Sequence, residues 1–272
     1  MNRFLILSSG LLVAPSFAVA QTAPEVDGWQ VTVGAGALYS PTYEGDDDYT
    51  VSALPNLQFK YEDKFFASVQ EGVGYNLVKT DAFTVGPIGR VKFSRKENGD
   101  QPFAIAGDET TELQGLGDID TTLEFGGFLS FDTGPITLGA EARQAFSGHE
   151  GFVADLNARW GGRMFTAGPP VFWSIGPRVR IVDQAYNEAY FGVSAEQAIA
   201  SGLPEYQTDG GLYSYGLGAT AVVPLDRAFR WSAVVLAGYD QLTGDAGDSP
   251  LVQLRGDQDQ VTFGVFLSRS FD

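Results

Sequence analysis

The sequence has no cysteine and one histidine, His149, and its 17 Lys and Arg residues face 34 Asp and Glu. Without cysteine an exported chain holds its fold with no disulfide, and thiolate metal sites and cysteine nucleophiles are excluded. The formal net charge of −17 argues against nucleic acid as a partner, because that affinity rests on basic residues releasing counterions. Beyond residue 20 no stretch reaches the roughly 18 consecutive apolar residues of a transmembrane helix. Long helical spans are therefore excluded, and any membrane crossing must be made by strands.

What is present begins at the N-terminus. "MNRFLILSSGLLVAPSFAVA" has one basic residue, an apolar stretch from Phe4 to Val19, and small residues at Ala18 and Ala20. This is the pattern of a secretory signal peptide with cleavage after residue 20. The mature chain 21–272 then has 272 − 20 = 252 residues and, without Arg3, a formal charge of −18.

Along the mature chain apolar residues recur with period two, the signature of strands with one apolar face. Trp29, Val31, Val33, Ala35, Ala37 and Tyr39 alternate with Gln30, Thr32, Gly34 and Gly36, and Val261, Phe263, Val265, Leu267 and Phe271 alternate with Thr262, Gly264, Ser268 and Ser270. About twelve such runs occur: 29–39, 50–60, 65–78, 83–95, 120–132, 135–146, 152–165, 170–182, 188–198, 212–224, 228–241 and 260–271. Most exceed the roughly 5–6 residues of a globular strand and match the roughly 9–11 that cross a bilayer when tilted. Aromatics bracket several apolar faces (Trp29 and Tyr39, Phe83 and Phe93, Phe229 and Tyr239), as in the interfacial girdles of a membrane barrel. The expected fold is all-β: a transmembrane antiparallel β-barrel of about twelve strands, of outer-membrane type, in a Gram-negative envelope. On this count 40–49, 199–211 and 242–259 are outer loops, with Asp46, Asp47 and Asp48 in water beyond Tyr39, Tyr43 and Tyr49. Residues 96–119 become an unusually long periplasmic segment, and the His149 turn is periplasmic as well.

The inward face carries Lys60, Arg90, Lys92, Arg143, Arg159, Arg163, Arg178, Arg180 and Arg230 against Glu124, Glu141, Asp155, Glu196 and Asp240, nine basic residues and five acidic. Two readings compete: a wall of charge pairs filling a narrow barrel, or a pore favouring small anions. The lone histidine lies in "SGHEG", where Ser147 and Glu150 suggest a hydrolytic site only by adjacency. The clusters Asp46–Asp48 and Asp245, Asp248, Asp257 and Asp259 have oxygen ligands for calcium but no specific spacing. "GLGDID", Gly115 to Asp120, lacks the strand–helix context of a nucleotide loop. No cofactor and no metal site is expected.

The stretches "GAGALYSPTYEGDDDY" (34–49), "GVGYNL" (72–77), "LQGLGDID" (113–120), "YFGVSAEQAIASGLPEY" (190–206) and "LTGDAGDSP" (242–250) together resemble the MipA/OmpV family of Gram-negative outer-membrane proteins. The resemblance implies a non-enzymatic outer-membrane barrel in contact with lipid. For one branch it implies a scaffold bridging a lytic transglycosylase and a bifunctional penicillin-binding protein in murein synthesis, for which 96–119 is the candidate contact surface. For others it implies adhesion or solute passage. It supplies no catalytic residues. The chain departs from the usual barrel ending in placing Asp272 after Phe271.

Overall fold

The computed structural model describes residues 28–271 except 102, 109, 166 and 167. The expected signal peptide and Asp272 lie outside the described residues. β1 (Trp29–Pro41) and β2 (Tyr49–Tyr61) pair along their whole length. The short strands β3 (Phe65–Ser68), β4 (Gly72–Tyr75) and β5 (Val78–Lys79) precede β6 (Phe83–Lys92). A long segment bearing β7 (Ala104–Gly107) leads to β8 (Thr122–Thr133), β9 (Ile136–Ala145), β10 (Phe152–Met164) and β11 (Val171–Val182). Helices α1 (Gln184–Phe191) and α2 (Ala195–Ser201) come before β12 (Gly211–Pro224) and β13 (Trp231–Leu242). Helices α3 (Gly244–Gly247) and α4 (Pro250–Arg255) come before β14 (Asp259–Phe271).

β14 pairs with β13 and also with β1, Val31 standing opposite Phe271, so the sheet closes on itself. The ring has twelve antiparallel members, because β4 and β5 both pair with β6 and act as one interrupted strand, while β7 hangs on the β2 edge. Closure of β14 on β1 removes the two terminal edges that an open sheet would present to hydrocarbon.

The total of twelve conceals two offsetting corrections. Residues 188–198, expected as a strand, are parts of two short helices and the link between them. Their alternation is coincidental, and local capping decides: the Asp183 side chain accepts from the Tyr186 N–H, and Ser194 and Gln197 form a capping box. Residues 65–78, expected as one strand, are a hairpin. The Ser68 hydroxyl accepts the Glu71 N–H at 2.8 Å, and Gly72 takes the left-handed conformation, φ 81°, that turns the chain back. Glu71, the charge that interrupted the apolar face, marks the turn.

The hairpin reverses the placement of the connections that come after it. The Asn76 N–H donates to the Lys64 carbonyl and Lys79 pairs with Asp63 at 2.6 Å, so 76–79 return to the 62–64 turn. Segment 96–119 therefore lies at the end that holds 40–49, not at the opposite one, and so does the His149 turn. Long segments 42–48, 93–121, 183–210 and 243–258 gather at this loop end; 62–64, 80–82, 134–135 and 225–230 are short connections at the turn end. Short turns at one end and long loops at the other are the ordinary asymmetry of an outer-membrane barrel.

β14 alternates exposed and buried residues almost throughout: Val261, Phe263, Val265 and Leu267 point out, Gln260, Thr262, Phe266 and Ser268 point in. Trp29, Tyr61 and Phe65 cluster at the turn end, with ring centroids 5.0 and 6.1 Å apart, and Tyr39 stacks on Tyr49 at 4.8 Å at the loop end. Ten residues separate Trp29 from Tyr39, roughly 33 Å along a strand. At a tilt of about 45° they bracket a band about 23 Å tall, the height of a hydrocarbon belt. Two of the expected girdle residues fall outside the strands: Phe93 follows the end of β6, and Phe229 sits in the turn between β12 and β13.

Leu217 lies halfway along β12 and points out, half exposed. Leu217→Arg is expected to lower the unfolding free energy in lipid vesicles by ~2–4 kcal/mol. Leu225→Arg, in the turn beyond β12, is expected to cost ~0–1 kcal/mol. Denaturant titration of the two variants checks the depth assignment.

Candidate functional site

The period-two alternation of β6 and β8–β11 brings charges of both signs onto one inner wall. The Arg143 Nε donates to Glu124 at 2.6 Å and its Nη2 to Asp155 at 2.9 Å, while its Nη1 meets Glu141. Arg90 donates its Nη2 to Glu141 at 2.9 Å and its Nη1 to the Gln70 carbonyl at 3.1 Å. Arg180 donates its Nε to Asp155 at 2.8 Å. Lys92 donates to both oxygens of Glu44, at 2.9 and 3.1 Å. Four cations (Arg90, Lys92, Arg143, Arg180) thus share one network with four carboxylates (Glu44, Glu124, Glu141, Asp155). Arg178 forms a separate pair with Asp240, its Nε at 2.7 Å.

Five of the nine cations expected on the inner face are thereby paired with carboxylates. Glu44 enters from a loop, and Asp132 and Glu71 place their charges opposite Arg159. Arg163 stands apart, exposed near the turn end with its guanidinium 5.6 Å from the Phe165 ring. Glu196 leaves the lumen altogether, on α2, where it accepts from Ser194.

Glu44 is the residue that strand periodicity missed. It follows β1 yet touches Lys92 on β6, lies 3.9 Å from Arg180 on β11, and accepts from the Tyr186 hydroxyl on α1 at 3.0 Å. Those elements stand far apart around the ring, so Glu44 lies over the lumen. Burial alone would raise its carboxyl; the Lys92 and Arg180 charges outweigh that and hold it below the usual carboxylate range. Above it α1 presents Tyr186 and Tyr190, four residues apart on one helix face. The Lys92 ammonium lies 3.9 Å from the Tyr190 ring centre, and burial pushes both phenols up. One apolar core holds Ile119, Val153, Tyr186, Phe191, Leu242 and Val252, and a second holds Tyr43, Leu113, Leu203 and Leu251. Together they lay a packed cap across the loop end.

His149 belongs to that cap. Its Nδ1 accepts the Gly151 N–H at 3.0 Å, which leaves Nε2 to donate to Glu124 at 3.0 Å. Its ring lies 4.7 Å from that of Tyr186. Gly148 permits the turn with φ 65°, and a Cβ there would meet the Thr122 hydroxyl at 2.0 Å. The Ser147 hydroxyl donates to the Thr121 carbonyl and accepts the Leu123 N–H. Both groups are thus committed to the fold, and Ser147 and His149 are not joined as nucleophile and base.

The aspartates 46–48 divide. Asp47 is exposed and Asp48 half-buried, but Asp46 is fully buried, a correction to its expected place in water. The Thr42 hydroxyl donates to its Oδ2, its Oδ1 has no partner, and Gln260 donates to its carbonyl at 3.1 Å. Burial pushes the Asp46 carboxyl up to about 6. Among the described residues no group of three His, Cys, Asp or Glu side chains is arranged to hold a metal ion. Asp245 accepts the Asp209 N–H, and Asp257 caps the Asp259 N–H at 2.9 Å. Beneath the cap a pocket is lined by Asn157, Arg159, Ser174, Arg178, Thr220 and Gln101, among others.

A closed twelve-stranded ring with an apolar belt, aromatic girdles and a charge-paired lumen defines a transmembrane β-barrel of the outer-membrane type. Within that class, the profile of the family described as MltA-interacting protein MipA matches residues 33–271, and the chain belongs to this family. It is 25% identical over 260 residues to the MltA-interacting protein of Escherichia coli (strain K12), covering 93% of this chain and 94% of that one, and equally so to its Shigella flexneri counterpart. Similar solved structures include an outer membrane channel from Pseudomonas putida F1, at 12% identity and TM-score 0.45, covering 93% of this chain and 98% of that one. The NanC porin matches at 9% identity and TM-score 0.41, covering 88% and 98%.

The wall and the cap can each be tested by substitution. Arg143→Ala takes the shared cation from Glu124, Glu141 and Asp155 at one buried position and is expected to destabilise the barrel by ~3–5 kcal/mol; Arg143→Lys, unable to reproduce the fork, should recover only part of that. Denaturant midpoints in vesicles test both. Asp46 is costly only when ionised: with its folded carboxyl at about 6, stability falls as pH rises from the ordinary carboxylate range through 6, and the full cost persists above. Asp46→Asn is expected to raise stability at pH 7.5 by up to about 3 kcal/mol and to show no advantage at pH 4. Parallel stability–pH profiles for the two proteins would disprove this.

Proposed function

We propose that this chain, cleaved after residue 20, is a non-enzymatic outer-membrane anchor with 21–272 as its barrel. In this reading it holds a lytic transglycosylase, and with it a bifunctional penicillin-binding protein, at the inner surface of the membrane. The observation that carries the reading is the family match over almost the whole barrel, among relatives named MltA-interacting protein. The cap favours it over solute passage, because packed helices lie across the lumen. Arg90, Arg143, Arg178 and Arg180 are each engaged by carboxylates, so a narrow anion channel is the less favoured alternative. With the loop end outward, as long loops lie in such barrels, the periplasmic contact falls on the short turns. Segment 96–119 sits at the other end and is not part of it.

The turn after β12 suits contact: Leu225 and Phe229 are half exposed, and the Asp226 side chain accepts the N–H groups of Ala228, Arg230 and Trp231, which fixes its shape. The test is capture of the purified lytic transglycosylase of the same cells by the barrel in nanodiscs. Leu225→Ser with Phe229→Gly, the glycine suiting φ 56° at that position, is expected to weaken capture about tenfold, some 1.4 kcal/mol. Deletion of 97–112 is expected to leave it intact. Failure of the unaltered barrel to capture the enzyme overturns the anchor reading; undiminished capture by the turn variant overturns the assignment of the surface.

A further inference from the structure

We propose that the wall between β2 and β6 is a lateral portal, stoppered by Phe103, through which the acyl chain of a membrane amphiphile reaches an apolar strip on the inner wall. The other ring strands run 10 to 14 residues, as β6 and β12 show, whereas β3 and β4 have four each. They fill only the turn-end half of their sector. β3 pairs with β2 over 58–61 and β7 with β2 over 50–52. Between them the β2 edge makes single contacts: the Ala53 N–H donates to the Phe103 carbonyl at 2.9 Å, and the Leu57 carbonyl accepts the Val69 N–H at 3.3 Å.

Residues 53, 55 and 57 share that edge, so Pro55 stands in the middle of the lapse and has no N–H to leave unpaired. On the far side the β4–β6 ladder consists of Val73 opposite Gly89 and Gly74 opposite Ile88. Among the described residues, no strand pairs with the other edge of β7. Pro55 is opposite Ala35, midway between Trp29 and Tyr39, so the lapse is at the level of the hydrocarbon. Irregular backbone at that depth is tolerated where it is covered by protein or lines a cavity.

What covers the lapse is apolar. The backbone of Phe103 lies on the loop-end part of the β2 edge while its side chain packs against the cluster of Leu38, Leu54 and Phe266, which Val234 and Leu236 also flank. Those five project from the inner faces of β1, β2, β13 and β14. They form a hydrocarbon strip in a lumen whose opposite wall is charged, and charge pairing does nothing to explain it. Gln101, two residues before Phe103, lines the pocket beneath the cap, so portal and strip lead toward that pocket when Phe103 withdraws. The occupant is set by position: a lapse facing the middle of the bilayer faces acyl chains.

The test uses the full barrel in phosphatidylcholine vesicles containing palmitate with a mid-chain diazirine, photolysed and mapped by peptide mass spectrometry. Label is expected on Leu38, Leu54 or Phe266 as well as on outward residues such as Val33 and Val265. Phe103→Ala should increase the inner label several-fold. A disulfide between Val51→Cys and Ala106→Cys, directly opposed residues in a chain with no cysteine of its own, pins β7 to β2 and should suppress it until reduced. The reduced and oxidised forms of that variant are one folded protein, so the comparison stands even if Phe103→Ala folds poorly. Label confined to outward residues in every form overturns the portal, as does inner label indifferent to the disulfide.

Discussion

Glu44 binds the loop end of this barrel into one object. It is a carboxylate held between Lys92 and Arg180 and under the Tyr186 hydroxyl, and each partner belongs to a different element. Ion pairs so placed add little net stability, since desolvation offsets much of the attraction, but they are intolerant of a missing partner. That intolerance makes the arrangement specific. Lys92, and Arg180 with Asp155, Arg143, Glu124 and Glu141 networked behind it, admit one placement of the segment after β1, and that placement brings Tyr43 and Gly45 against the helices. Gly45 is confined there by Val252, 2.8 Å from where a Cβ would stand. Charge pairing thus orients the cap, and the apolar clusters around Tyr186 and Leu251 supply its cohesion.

Much of the ring was legible in the sequence because a membrane barrel obeys one rule along every strand. Trp29 to Tyr39 and Val261 to Phe271 meet hydrocarbon on one face and protein on the other, and period two is the result. The inner charges were legible for the same reason, since Arg143, Asp155 and Arg180 sit at the parity opposite the lipid face. What was not legible depends on chain reversal and on loops. The hairpin at 69–71 has strand-like alternation on both sides of its turn, and the only sign of reversal was Glu71 followed by Gly72. The helices at 184–201 were signalled by caps at Asp183 and Ser194, which period-two counting ignores. Glu44 obeys no strand parity at all, and "YEGDDDY" draws attention to the aspartates beside it.

Strand parity is also what made the two misread elements matter. A missed reversal flips the side of every later connection, and a helical stretch taken for a strand flips it back. Between those positions, from 80 to 187, each expected end was inverted, while 199–211 and 242–259 were placed correctly. The long 96–119 segment looked anomalous because it fell in the inverted interval. Placed at the loop end, its Leu113 and Leu116 complete the second apolar cluster, and Arg95, just before it, donates to the Tyr190 carbonyl at 2.7 Å.

The short hairpin and the long segment are then two parts of one construction. Because β3 and β4 stop after four residues each, the ring needs another piece of chain beside β2, and the segment between β6 and β8 provides it through β7 and Phe103. That segment must also reach the cap to contribute Leu113, Leu116 and Ile119, so its length is set by the distance between two tasks. A full-length hairpin would have completed the wall by itself with every backbone group paired. The chain instead completes the wall with a segment that holds β2 by few hydrogen bonds and fills the gap with a side chain. A wall assembled this way is weakest at one place, along β2 around Pro55, between its pairing with β7 over 50–52 and its pairing with β3 over 58–61.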